Sequence, residues 1–176
     1  MKLHKLGKIF DPREHHFANG CGEFAQSPQT LLLKDGIRVY FSTRSVDPSG
    51  TKYRSHVAFA DFEDDLKTIR RTSTKEVVAL GGLGCFDEHG IFPMNIVRVG
   101  DAVWGYTTGW NRRVSVSVDT AIGLAISGDG GETFHRQGDG PVLGPSLHEP
   151  FLVGDAFVIQ GLGAAPVAGR RGLHHG

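Results

Sequence analysis

The sequence predicts an all-β protein built from repeated antiparallel meanders, the pattern of propeller blades. Three observations carry this. Glycine is abundant, at 25 of 176 residues, and clusters in short turn-like strings. Short apolar runs are joined by turn dipeptides such as Asp35-Gly36 and Gly100-Asp101. The same order of runs recurs along the chain, each copy starting just after a proline, at Pro28, Pro93 and Pro150.

In the first copy, Thr30–Leu33, Lys34-Asp35-Gly36 and Ile37–Ser42 read as strand, tight turn and strand, because Asp-Gly supplies the positive φ that a hairpin needs. A third strand, His56–Phe62, follows the loop Asp47-Pro48-Ser49-Gly50. The segment from Asp61 to Arg71 is expected to be a connection, since its threonines support no long helix. In the second copy, Met94–Val99, the turn Gly100-Asp101, Ala102–Thr108 and then Ala121–Ser127 repeat the meander. Trp104 alternates within its strand and is expected in the core. A third copy is expected to begin at Phe151–Val153, turn at Gly154-Asp155 and return along Ala156–Ile159. The repeats are somewhat longer than compact propeller repeats of about 40–50 residues, which long loops would explain. A β-sandwich of three hairpins is the competing architecture.

The expected organisation is a partial propeller over residues 1–160, with blades near 26–80, 87–140 and 149–160, and a tail, 161–176, that loses strand alternation. Two blades and a hairpin leave long unpaired edges. The expectation is therefore a truncated chain or a reading frame shifted near Gln160, with self-association through open blade edges.

Nineteen basic and nineteen acidic side chains cancel, so neither nucleic acid nor a membrane is an expected partner; a small ligand fits better. Met1–Lys8 is basic but no apolar stretch follows it, and no run is long enough to span a bilayer. Cys21 and Cys85 have neither metal-ligand nor redox spacing and read as free thiols of a cytoplasmic protein. His15-His16 and His174-His175 lack carboxylate or thiolate partners at ligand spacing, so no metal or other cofactor is expected.

Ser127-Gly128-Asp129-Gly130-Gly131-Glu132-Thr133-Phe134 fits Ser-x-Asp-x-Gly-x-Thr-aromatic, the Asp box of propeller turns. Its expected role is structural: Ser127 and Asp129 bind turn amides, and Phe134 packs beneath the hairpin. The run Gly84–Pro93, with Asp87, Glu88 and His89, together with Thr107-Thr108-Gly109-Trp110, resembles a family of predicted glycosidases similar to arabinanase- and invertase-type glycoside hydrolases. The resemblance runs from Gln26 to Ile159 and is strongest from Gly84 to Val158.

That resemblance implies a five-bladed propeller, of which this chain holds about two and a half blades, with acidic residues of successive blades converging on a central funnel. It puts two of them at Asp87 and Glu149, as the acid and base that glycosidic cleavage requires. The first blade departs from the pattern: the usual Asp-Pro is replaced by Ala25-Gln26-Ser27-Pro28, and Gln26 is expected to bind rather than catalyse. His89 and His148 are expected to donate to sugar hydroxyls or phosphate. Arg44, Arg112 and Arg113 would bind a carboxylated sugar or phosphate bidentately, and Trp110 would stack on a sugar ring. The expected activity is hydrolysis of a glycosidic bond in a saccharide; the alternatives are phosphorolysis by inorganic phosphate and sugar binding without catalysis.

Overall fold

The computed structural model describes residues 4–159. Two short 3-10 turns, Pro12–Glu14 and Ala18–Gly20, precede eight strands: β1 (Glu23–Leu33), β2 (Gly36–Val46), β3 (Tyr53–Phe62), β4 (Ile69–Thr72), β5 (Gly90–Val99), β6 (Ala102–Arg112), β7 (Val118–Ser127) and β8 (His135–Arg136). Strands β1 to β4 form one antiparallel meander and β5 to β8 a second. The two blades meet through a parallel bridge from Ser55 on β3 to Gly90 on β5. Both repeats thus have a fourth, outermost strand. The segment expected to be a connection supplies β4, and the residues after the Ser127–Phe134 turn supply β8. Both strands are short and polar, so no apolar alternation marks them.

Two further expectations are corrected. The innermost strands begin before their prolines: Pro28 lies inside β1 and Pro93 inside β5, each where the ladder to the next strand slips register. A residue without an N–H is tolerated at such bulges and at sheet edges. The third hairpin is absent from residues 149–159, which carry no strand. Their backbone instead lies over the second blade, with the Asp155 N–H donating to Thr108 Oγ1 at 2.8 Å and the Val158 N–H to Asn95 Oδ1 at 2.9 Å. The tail expected at 161–176 lies outside the described residues.

One core cluster joins the blades: Leu31, Tyr40, Phe59, Val77, Val78, Ile91, Met94, Val103, Ala125 and Phe134 are all buried in it. Trp104 is only half-buried; its neighbour Val103 takes the core position on β6. A second cluster, Phe41, Ala58, Ala60 and Phe62, is covered by Phe10 and Phe17 of the opening segment. That segment reads as polar in sequence, yet two aromatic rings dock it.

The Ser127–Phe134 turn fastens blade to blade. Ser127 Oγ donates to Asp129 Oδ1 at 2.6 Å and accepts the Gly131 N–H at 2.8 Å, while Asp129 accepts the N–H groups of Glu132 and Thr133. From the first blade, Tyr40 Oη donates to the Gly131 carbonyl at 2.6 Å. Arg38, only 2 % exposed, grips Asp61 with two hydrogen bonds of 2.7 and 2.8 Å, reaches Glu132 at 2.5 Å and stacks on Phe59.

Candidate functional site

One cross-strand row spans both blades. Glu23 pairs with Arg44, Arg44 with Ser55, Ser55 with Gly90, Gly90 with Trp110 and Trp110 with Thr120. Because alternate residues of a strand share a face, the same face also carries Tyr53 on β3, Phe92 on β5, Arg112 on β6 and Val118 on β7. A cavity of about 460 Å³ opens there, lined by Arg44, Ser55, Tyr53, Phe92, Trp110, Arg112, Val118 and Thr120, with Lys52 from the β2–β3 loop. Three aromatic rings and several hydroxyl or cationic groups around one concavity are what a small polar ligand with apolar faces requires.

Gly90 makes room for the largest ring. A Cβ at that position would strike Trp110 Nε1 and lie 2.7 Å from the Ser55 nitrogen. Behind the indole, the His89 ring stacks at 5.9 Å, and burial followed by the Arg112 charge holds that imidazole below its ordinary pKa. Arg112 is fixed: it donates to Asp47 Oδ2 at 2.8 Å and to the Tyr53 carbonyl at 2.6 Å. The Ser49 hydroxyl, opposed by burial and joined by Arg112, lowers the Asp47 carboxyl to about 2. Arg44 is held differently, its guanidinium 5.0 Å from the Phe24 ring centre and its buried Nε without a hydrogen-bond partner among the described residues.

Of the residues singled out from sequence, Arg44, Trp110 and Arg112 line this cavity and His89 backs it. The others lie elsewhere. Arg113 is exposed and paired with Asp119 at 2.9 Å. Gln26 sits in the bulged part of β1, opposite Ser42, with its Oε1 buried and unpartnered among the described residues. His148 and Glu149 stand on an exposed turn, where Ser146 Oγ accepts both of their N–H groups. Asp87 is 1 % exposed and faces Arg136, whose Nε stands 2.9 Å from Oδ2 and whose second nitrogen donates to Oδ1 at 3.1 Å. Burial pushes the Asp87 carboxyl above its ordinary range and Arg136 pulls it back part of the way. Asp87 packs against Gly109, where a Cβ would lie 2.6 Å from the Asp87 Cβ. Gly109 precedes Trp110, so Asp87 lies across β6 from the cavity.

Sequence reasoning missed Lys52, Tyr53, Ser55, Phe92, Val118 and Thr120. The available signal was parity: four of the five on strands sit at an even spacing from another lining residue of their own strand or are paired with one across the ladder, and Phe92 sits two residues from Gly90, the partner of Trp110.

Two curated proteins of Mycobacterium tuberculosis, both uncharacterized, from strains CDC 1551 and H37Rv, are 32% identical to this chain over 167 residues, covering 91% of it. The chain spans about half the length of these relatives, 52% of each. No family model matches. Among solved structures, a family 32 β-fructofuranosidase of Bombyx mori superposes on 66% of the chain, and 23% of its own, with a TM-score of 0.53 and 14% identity. Zg3597, a family 117 glycoside hydrolase of Zobellia galactanivorans, superposes on 66% of the chain and 33% of its own at a TM-score of 0.50 and 20% identity. A member of family 130, the mannoside phosphorylases that contain hydrolases targeting β-1,2 mannosidic linkages, does so over 65% and 31% at 0.51 and 17% identity. Among the described residues, no helix is long and apolar enough to cross a membrane. At these identities the likeness is one of fold: two meanders side by side have the architecture of part of a glycosidase-type β-propeller.

Proposed function

We propose that this chain is the saccharide-binding part of a carbohydrate-active propeller, and that the sugar lies in the cavity bounded by Trp110, Phe92 and Tyr53. The observation that carries the reading is the row from Arg44 to Thr120, which gathers an indole, hydroxyls and guanidinium groups on one face around one cavity. Sugars present C–H faces to aromatic rings and hydroxyls to such donors. The sucrose complex of a variant of the Bombyx mori enzyme is consistent with a saccharide ligand in this type of fold.

Hydrolysis of a glycosidic bond is the second reading, favoured by the glycoside hydrolases that share the fold. It needs a proton donor and a second carboxylate within reach of the sugar. None of the residues lining the cavity is a carboxylate, and the nearby carboxylate of Asp47 is taken by Arg112. Within this reading Glu149, exposed on its turn, is the donor, and the partner carboxylate comes from a further blade or from Asp87 once it is released from Arg136 and turned towards the sugar. Phosphorolysis would place inorganic phosphate against Arg112 or His89, both already engaged with neighbours.

Tryptophan fluorescence tests the binding reading. Trp104 and Trp110 are the two tryptophans, so a Trp104→Phe chain reports on Trp110 alone. Saccharide binding is expected to shift its emission, and Trp110→Ala to weaken affinity about tenfold or more, the loss of roughly 1.4 kcal/mol of stacking. Binding that survives Trp110→Ala unchanged would place the sugar elsewhere.

A further inference from the structure

We infer that the saccharide taken by this cavity carries an oxyanion, a carboxylate or a phosphate, which Arg44 and Lys52 receive at one end while Trp110 holds the ring. This rests on the saccharide-binding reading and adds to it the chemical class of the ligand.

The cations around the cavity are of two kinds. Arg112 has its charge met by Asp47 and its second terminal nitrogen donating to the Tyr53 carbonyl, so it shapes the wall. Arg44 and Lys52 line the same cavity and, among the described residues, neither has a carboxylate within 4.0 Å. Arg44 stands directly across the ladder from Glu23, the natural place for an ion pair, yet none forms. Its guanidinium is turned over the Phe24 ring instead, and its Nε is buried with no acceptor. A buried N–H without a partner costs about 1–3 kcal/mol, so such a donor is one for which an acceptor from a ligand would be gained.

A planar guanidinium offers two parallel N–H donors to a carboxylate or phosphate, and the flexible ammonium of Lys52 adds a second charge from the loop. A neutral sugar hydroxyl could accept one bond from Arg44 but would leave both charges unanswered. The chain has no net charge, so the excess of positive charge here is local rather than a property of the whole surface.

The test uses the full chain on a carbohydrate array holding neutral glycans beside their uronic acid and sugar phosphate counterparts, followed by titration of the best matched pair. Acidic members are expected to bind at least about tenfold more tightly than the neutral counterpart, and the preference to shrink as salt is raised from roughly 50 to 500 mM. Arg44→Gln and Lys52→Gln should each remove most of the preference, the acidic member of the pair losing clearly more affinity than its neutral counterpart. Lys52 is exposed and its variant should melt as the parent does, which keeps the test open if Arg44→Gln unfolds. The two anion types are separated by which half of the array responds, and inorganic phosphate is the control. Neutral and acidic sugars bound equally well would overturn this inference and leave the saccharide reading standing. Inorganic phosphate competing as well as a sugar phosphate would overturn it too, as a free oxyanion site. An array with no binding at all would overturn both readings.

Discussion

Trp110 stands where a side chain on Gly90 would be: the two residues are cross-strand partners, and a Cβ on Gly90 would meet the indole nitrogen and, at 2.7 Å, the backbone nitrogen of Ser55. The cavity therefore depends on a residue that contributes no atom to its lining. Gly90→Ala is expected to push the indole away and disturb the bridge between blades, costing about 1–3 kcal/mol of stability and at least about tenfold in sugar affinity. Thermal melts and titration of the same variant check both. A variant that melts and binds like the parent would mean that the bridge at Ser55 gives way easily and does not set the cavity.

What was legible in the sequence follows from range. Hairpins are local, and Asp35-Gly36 and Gly100-Asp101 marked two correctly. Pattern also found six of the eight strands, because each of those six is long and carries buried apolar residues, in β2, β3 and β5 on consecutive positions. The short outer strands β4 and β8 have no apolar face to show. The site was legible only in part: Arg44, Trp110 and Arg112 stood out as residue types, but their meeting depends on the single parallel bridge from Ser55 to Gly90 and on a register kept past the bulge around Pro93. The pairing of Asp87 with Arg136, 49 residues away, had no local signal.

Arg38 ties β2 to two other elements at once, reaching Asp61 and the face of Phe59 on β3 and Glu132 in the turn before β8. Arg38→Met removes the charge and leaves Asp61, itself buried, with Arg71 at 2.9 Å as its remaining partner. Loss of one member of a buried pair costs about 3–5 kcal/mol, and the surviving Arg71 contact puts the expectation near the lower figure. Urea unfolding should show the loss in midpoint. An unchanged midpoint would mean that the two blades dock through the apolar cluster alone.

Acid should loosen the same junction. Burial raises the Asp129 carboxyl, but hydrogen bonds from Ser127, Thr133 and the turn amides outweigh it and bring it down to about 2. A carboxyl with a depressed pKa in the folded state adds stability above its unfolded value of 3.8 and loses it as pH falls towards 2. The turn is exposed, so solvent screening reduces the contribution to roughly 1 kcal/mol. Asp47, also lowered to about 2, titrates over the same window and releases Arg112. Melting temperature is expected to fall between about pH 4 and pH 2, and Asp129→Asn to start lower and fall less. A variant with the same acid limb as the parent would remove Asp129 from that account.

Asp87 separates structure from catalysis. Its carboxylate is enclosed and answered by Arg136, so Asp87→Asn leaves a half-buried guanidinium with Asp139, 3.3 Å away at the surface, as its remaining carboxylate. The expected cost is about 3 kcal/mol, read as a fall in melting temperature. A pair that serves only packing can be replaced as a pair: Asp87→Leu with Arg136→Met should recover much of that loss, and the coupling between the two changes measures their interaction. Glu149 makes the contrasting case. On an exposed turn where only its backbone is engaged, Glu149→Gln should move stability by less than about 0.5 kcal/mol. If the propeller cleaves glycosides with Glu149 as proton donor, the same change should lower turnover about a hundredfold or more with melting unchanged. Turnover that survives Glu149→Gln but is abolished in the restored Asp87→Leu, Arg136→Met pair would reverse the assignment. The buried carboxylate would then be the catalytic one, exposed by a movement that separates it from Arg136.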